Sequence, residues 1–241
     1  MQLSVIIPTF NEEENIAGLL DFLYDHKDQR LLEIMVADGK STDHTVEVAK
    51  QSGARVVRCP LPGRAAQMNY AASLAQGDVL YFVHADTLPP DSYLDDIAEG
   101  LNDGFLLGSY CSNFQSDNPV FRINAWFTRF SSSYSYGGDQ TLYVYRDLFD
   151  RLEGFHEKYV IMEDFDFVKR ARRIASFKKI PKKALISTRK YDKNSFVRVS
   201  LANLIVFSMY RLGVSPRVLK KVYQKLLRPA ATKKSSEVSS S

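Results

Sequence analysis

The 241-residue sequence predicts an α/β fold: a mostly parallel central sheet flanked by helices, followed by basic C-terminal helices. Three observations carry that prediction. Short, nearly continuous apolar runs recur at 3–8, 33–37, 55–58 and 78–83, each suited to a strand covered on both faces. Segments of helical periodicity separate them. The runs end in Thr9 to Glu12, in Asp38-Gly39 and in His84-Ala-Asp86, polar groups placed where open α/β sheets bind ligands, outside the carboxyl ends of their strands.

The first strand, Leu3-Ser-Val-Ile-Ile-Pro8, leads through a turn at Thr9 to Asn15 into a helix whose apolar positions are Ile16, Leu19, Leu20 and Leu23. Glu33 to Ala37 is the second strand. Ser41 and Asp43 are suited to cap the helix that follows, which carries Val46, Val48 and Ala49. Arg55 to Arg58 is the third strand, Ala65 to Leu74 the third helix and Asp78 to Val83 the fourth strand. After Pro89-Pro90 the pattern changes. It predicts a helix near 91–101, a strand at 105–114, a helix at 121–130, a Ser-rich loop at 131–140, a strand at 141–146, a helix at 163–173 and a strand within 177–187. Residues 200–228 read as two helices broken at Gly213 and Pro216. The expected division is a catalytic domain at 1–190 (donor half 1–90, acceptor half 91–190), a helical extension at 191–228 and a tail at 229–241 too polar to pack.

The composition, 45% hydrophobic and 25% charged, is that of a globular protein long enough to bury a core. Two cysteines make no disulfide framework and read as buried or free thiols, which favours the cytoplasm. No basic n-region with an apolar stretch opens the chain, and no apolar run approaches the ~20 residues that span a bilayer. The net charge of +4 conceals a split: residues 1–167 carry 12 basic and 26 acidic side chains, whereas 168–234 carry 20 basic side chains and one acid, Asp192. The basic part is suited to an anionic surface or substrate, or is a solvated face.

Pro8-Thr-Phe-Asn-Glu12, Asp38-Gly39, Arg64-Ala-Ala-Gln-Met-Asn69, His84-Ala-Asp86 and Glu163-Asp164 follow the order and spacing of a known family. The sequence resembles the family 2 glycosyltransferases with their GT-A, Rossmann-like fold, most closely a small bacterial group with a HADT metal motif. The resemblance runs from Leu3 to about Arg173. It implies an enzyme moving a sugar from a nucleotide diphosphate sugar, UDP- or GDP-linked, to an acceptor hydroxyl. It implies that Pro8, Thr9, Asn11, Glu12, Asp38 and Gly39 meet the nucleoside, with Glu12 on the ribose and Asp38 on the base. Asn11 and Asp38 are also suited simply to cap helices.

Arg64 opens a helix behind Gly63, where a guanidinium and helix N–H groups suit a pyrophosphate. Gln67 lies on the same helical face and resembles a position near the donor. The resemblance implies that Ala85 and Asp86 complete the donor set, with Asp86 as the metal ligand for Mg²⁺ or Mn²⁺. His84 stands where the family has its first acid. One carboxylate suffices for Mg²⁺ because that ion keeps waters and takes substrate phosphates as ligands; histidine suits Mn²⁺ somewhat better. Asp164 resembles the family's base, which takes the acceptor's proton in an inverting transfer. Glu163 or Asp166 would orient the acceptor, with Asp139 and Gln140 of Gly137-Gly-Asp-Gln140 beside it. An acidic first helical turn is the alternative for Glu163-Asp164, and a glycine turn for 137–140. The Gln-X-X-Arg-Trp motif of processive synthases is absent from the sequence, which favours a single transfer.

Residues 217–228 place apolar side chains at 218, 219, 222, 223, 226 and 227, with Arg217, Lys220, Lys221, Lys225 and Arg228 on or beside the polar face. Such a helix suits peripheral contact with an anionic membrane, where a lipid-linked acceptor would lie, or a helix packed on the catalytic domain with a solvated face. No nucleic-acid motif is present in the sequence, and no nucleic-acid partner is expected. A nucleotidyltransferase is the rival enzyme class, but the acidic Thr9 to Glu14 is unsuited to a triphosphate. A non-catalytic nucleotide-sugar-binding module would have no need of Asp164.

Overall fold

The computed structural model describes residues 1–114, 141–187 and 196–227. The chain falls into two compact units, Met1–Thr188 and Arg189–Ser241.

In the first unit β1 (Leu3–Thr9), β2 (Leu31–Asp38), β3 (Arg55–Arg58) and β4 (Val79–Phe82) lie parallel, linked through α1 (Ile16–Asp25), α2 (Thr45–Gln51) and α3 (Arg64–Leu74). There follow β5 (Thr87–Leu88), α4 (Tyr93–Asn102), β6 (Leu107–Phe114), β7 (Leu142–Tyr145), α5 (Arg146–Arg151), α6 (Glu163–Ala171) and β8 (Phe177–Ile186). The eight strands form one sheet in the order β3-β2-β1-β4-β7-β6-β8-β5, mixed beyond β4 because β7 runs antiparallel to both its neighbours. Thr9 pairs with Asp38, and Asp38 with Arg58, so the first three strands end level on one edge.

Alternation along β1 builds two cores. Leu3, Val5 and Ile7 meet Leu19, Leu20 and Leu23 of α1 and Tyr93 and Ile97 of α4 on one face. Ile6 faces the other side with Ala65, Met68 and Ala71 of α3 and Phe167, Val168 and Ala171 of α6. There Phe82, Phe149, Phe155 and Phe167 pack with ring centroids 4.9 to 5.4 Å apart. Each buried Leu, Ile or Phe contributes about 1.5–3 kcal/mol. The alanines of α3 have no bulk to hold the helix off the sheet, which brings its polar residues within reach of the strand ends.

The strands and helices fall close to their expected spans. Two elements are additional. β5 is two residues long, too short for any periodicity, and α5 turns at once from the end of β7, where its six residues blend with the strand's apolar run. The helix expected at 121–130, the loop at 131–140 and the tail at 229–241 lie outside the described residues. Part of the charge split closes internally: Lys178 of β8 donates to Asp103, just past the C-terminus of α4, at 2.7 Å, and Lys182 to Asp96 of α4 at 2.7 Å.

The second unit contains α7 (Phe196–Arg211) and α8 (Pro216–Leu226). Gly213 and Pro216 mark the break, with Pro216 at the first turn of α8, where its missing N–H is not needed. Arg198 Nε donates to Leu226 O at 2.5 Å.

Candidate active site

The loops that leave β1 and β2 are stitched to each other. Asn11 N donates to Ser41 Oγ at 3.0 Å, and Thr42 N to Asn11 Oδ1 at 2.8 Å. Glu12 N donates to Thr45 Oγ1 at 2.8 Å, Glu13 N to Asp43 Oδ2 at 3.2 Å, and His44 N to Glu13 Oε2 at 3.0 Å. Asn11 therefore caps no helix; it sits in the left-handed region (φ +57°) and binds the neighbouring loop. Ser41 serves Asn11, whereas Asp43 Oδ1 accepts from Thr45 N at 3.0 Å at the entry to α2. Asp38 closes its own turn, accepting from Lys40 N and Ser41 N at 3.1 Å each, and is 1% exposed. Lys40 is left-handed as well.

α3 ties this edge together. Gln67 Nε2 donates to Thr9 O at 2.7 Å and Ala37 O at 2.8 Å, bridging the ends of β1 and β2. Its two amide hydrogens are thereby engaged, and only Oε1 is left to face a ligand. Gly39 lies directly beneath: a Cβ there would stand 2.7 Å from Gln67 Nε2. Thr9 Oγ1 is buried beside them with no hydrogen-bond partner among the described residues. Gly63 enters α3 at φ +122°, a conformation open to glycine almost alone.

Arg64 brings the remaining motifs together. Its Nε forms an ion pair with Glu163 Oε1, and Glu163 is 1% exposed. Its NH1 lies 3.4 Å from His84 Nδ1 and 3.5 Å from Nε2. A nitrogen that near to both ring atoms sits over the imidazole face, so His84 packs against the guanidinium. Asp86 lies two residues on, its Oδ1 accepting from Thr87 Oγ1 at 3.2 Å. Ser187 N donates to Asp86 O at 2.9 Å, which anchors this turn to the end of β8.

Asp164 follows Glu163 in the first turn of α6, which is entered through a left-handed Met162. Burial of its carboxyl, and secondarily the neighbouring charge of Glu163, push its pKa up to about 7; Arg64 and the Phe165 N–H oppose the rise. Two carboxylates side by side with one guanidinium cannot both ionise cheaply, and Arg64 is directly paired with Glu163.

No cluster of three or more His, Cys, Asp or Glu suited to hold a metal occurs among the described residues. A divalent ion held mainly by a diphosphate needs few protein ligands, and the Asp86 carboxylate lies in the turn between β4 and β5.

Further contacts support the site, one of them at Asp166, the expected alternative to Glu163 for orienting the acceptor. Asn69 Oδ1 accepts from Phe155 N at 2.9 Å and its Nδ2 donates to Phe155 O at 2.8 Å, latching α3 to the segment before α6. Asp166 accepts from Arg170 Nε at 2.9 Å and lies 2.7 Å from His156 Nδ1. The i,i+4 spacing of Asp166 and Arg170 was readable; the contact with His156 was not. Phe10, 59% exposed, stands in the β1 loop, an apolar ring within a polar run. Asp139 and Gln140 lie outside the described residues.

A mixed sheet whose strand ends gather a nucleotide-suited loop pair, an arginine at a helix start and a pair of adjacent carboxylates is the architecture of GT-A transferases. The chain belongs to glycosyl transferase family 2, whose profile matches residues 4–180. It is similar to an uncharacterized glycosyltransferase of Rickettsia typhi, 33% identical over 96 residues, 40% of this chain and 32% of that one. It is similar also to glucosyl-3-phosphoglycerate synthase of Mycolicibacterium paratuberculosis, 31% identical over 96 residues, 36% of this chain and 29% of that one. The matched stretch thus spans about a third of the length of these curated relatives. Among solved structures, Staphylococcus aureus TarS 1–349 in complex with UDP-GlcNAc superposes with a TM-score of 0.66 at 18% identity, covering 94% of this chain and 71% of that one. Glucosyl-3-phosphoglycerate synthase of Mycobacterium tuberculosis, in complex with Mn²⁺, UDP-glucose and phosphoglyceric acid, superposes at 0.64 with 18% identity, covering 88% and 80%.

Proposed function

We propose that the chain transfers a sugar from a UDP- or GDP-linked donor to an acceptor hydroxyl, with inversion, once per encounter and with Mg²⁺ or Mn²⁺. The observation that carries this reading is Asp164: a carboxyl held near neutral pKa beside Glu163, whose own charge is paired with Arg64. A base whose pKa lies near the operating pH is suited to take a proton from an alcohol.

On the donor side, Thr9 and Asp38 receive the base, Glu12 the ribose, and Pro8, Asn11 and Gly39 shape the loops around them. Gln67 holds the two strand ends at the spacing that the nucleoside enters. Arg64, with Ala85 and Asp86, faces the diphosphate. The metal, when bound at Asp86, supplies charge neutralisation for the departing nucleotide. On the acceptor side Glu163 fixes Arg64 and orients the incoming hydroxyl, with Asp139 and Gln140 contributing from the 137–140 segment. UDP is favoured because two GT-A structures similar to this chain carry UDP-sugars. Catalytic and basic helical regions divide near residue 190, and the reaction is placed in the cytoplasm, with a hydroxyl on a lipid-linked molecule as one acceptor class.

Thermal shift against UDP-, GDP-, CDP- and dTDP-sugars, with and without Mn²⁺ or Mg²⁺, tests this. A shift with the UDP- or GDP-sugar that grows with metal and shrinks in Asp86→Ala supports it. No shift with any nucleotide sugar rules out the donor site.

A further inference from the structure

We propose that the α7–α8 unit is a docking surface for an anionic lipid bilayer. Leu201, Leu204 and Leu212 fall at positions that share one side of α7 and its extension, with Ser208 between them. They are 53%, 53% and 82% exposed, and Val218 of α8 is 43% exposed. Exposed aliphatic side chains aligned along one side of a helix are characteristic of a surface that meets another phase.

The charge around them selects the phase. Residues 196–227 contain Arg198, Arg211, Arg217, Lys220, Lys221 and Lys225 and no acid at all. On α8, Leu219 is fully buried, and Arg217, Lys220, Lys221 and Lys225 are exposed. Lys221 and Lys225 follow Val218 by three and seven positions, so an exposed apolar edge and an exposed basic edge adjoin. A leaflet with anionic headgroups above its acyl chains satisfies both edges at once. A nucleic acid satisfies the charge and leaves the leucines in water. An acidic protein would have to match an apolar stripe and a basic arc together, a more particular requirement than a lipid surface makes. The β8 lysines belong elsewhere, since Lys178 and Lys182 already pair with Asp103 and Asp96.

No described helix is long and apolar enough to cross a membrane, so the contact is peripheral. The contact does not depend on the transferase chemistry, and its test is independent of catalysis.

The test is co-sedimentation of the full chain with vesicles of phosphatidylcholine alone or with 30% phosphatidylglycerol, at low and high salt. Binding is expected only to the anionic vesicles and is expected to weaken with salt. At about fivefold per basic residue near the surface, Lys220→Gln, Lys221→Gln and Lys225→Gln together reduce partitioning roughly a hundredfold. Leu201→Ser with Leu204→Ser, both at exposed positions, is expected to reduce it at least tenfold with the thermal melt unchanged. Three results overturn the proposal: no binding to anionic vesicles, equal binding to neutral ones, or loss on the lysine changes but not on the leucine changes. In the last case duplex DNA is expected to compete as well as vesicles do, and the surface is a polyanion site instead.

Discussion

Replacing Asp164 with Asn removes the proposed base and also a folding liability, and the two effects have opposite signs. The Asp164 pKa lies at about 7 in the fold against an ordinary 3.8. A carboxyl whose pKa is raised on folding favours the fold below its unfolded pKa, and that advantage is lost as pH rises through the folded pKa. A shift of about three units corresponds to at most ~4 kcal/mol at 1.36 kcal/mol per unit. Asp164 is part-exposed and Arg64 stands near it, so screening leaves about 1–3 kcal/mol. The Asn variant matches the wild type near pH 4 and is more stable by that amount at pH 8–9, a rise in Tm of roughly 3–9 °C for a domain of this size. Its transfer rate falls about 10²–10⁴-fold. The wild-type kcat/KM falls tenfold per pH unit below about pH 7. The measurements are melting curves from pH 4 to 9 and a pH–rate profile with the donor that gives the thermal shift. A stability difference independent of pH, or a variant that keeps its activity, refutes this account of Asp164.

Arg64→Ala leaves the buried Glu163 without its partner and destabilises by about 3–5 kcal/mol. Adding Glu163→Gln is expected to restore part of that loss in denaturant melts. Gly39→Ala forces a Cβ against Gln67, and Gln67→Ala strips two buried carbonyls of a donor. Each costs about 1–3 kcal/mol, and the double variant loses clearly less than their sum because the clash disappears with the amide. Gly63→Ala meets no atom within 4 Å, so its cost of about 1–3 kcal/mol is conformational, and Gly63→Asn is expected to lose as much by the same melts, because φ +122° with ψ +138° lies outside the left-handed well that asparagine tolerates.

The parallel half of the fold was legible because its strands are buried on both faces and so read as unbroken apolar runs. β5 and α5 were not, since two and six residues carry no period that separates strand from helix. The motifs located the site residues on strand ends and helix starts, yet motif order says nothing about which side chains touch. Arg64 and Glu163 lie far apart along the chain, and their pairing follows from α3 and α6 sharing one face of the sheet. Gln67 reads as a donor-side residue and in the fold joins two strand ends, a contact that needs the close approach the α3 alanines allow. Asp43 looked like a cap and met Thr45 N, whereas Ser41 and Asn11 turned to one another across thirty residues of sequence. The charge split was visible as a number, but only the fold divides it into the paired lysines of β8 and the acid-free helical hairpin.

The stitching of the β1 and β2 loops has a kinetic consequence. Five backbone N–H groups donate between them, in both directions, so neither loop can open without releasing the other. Amide protons at Asn11, Glu12, Glu13, Thr42 and His44 are therefore expected to exchange as one cooperative unit, with a single opening free energy. A ligand that grips one loop slows exchange in both.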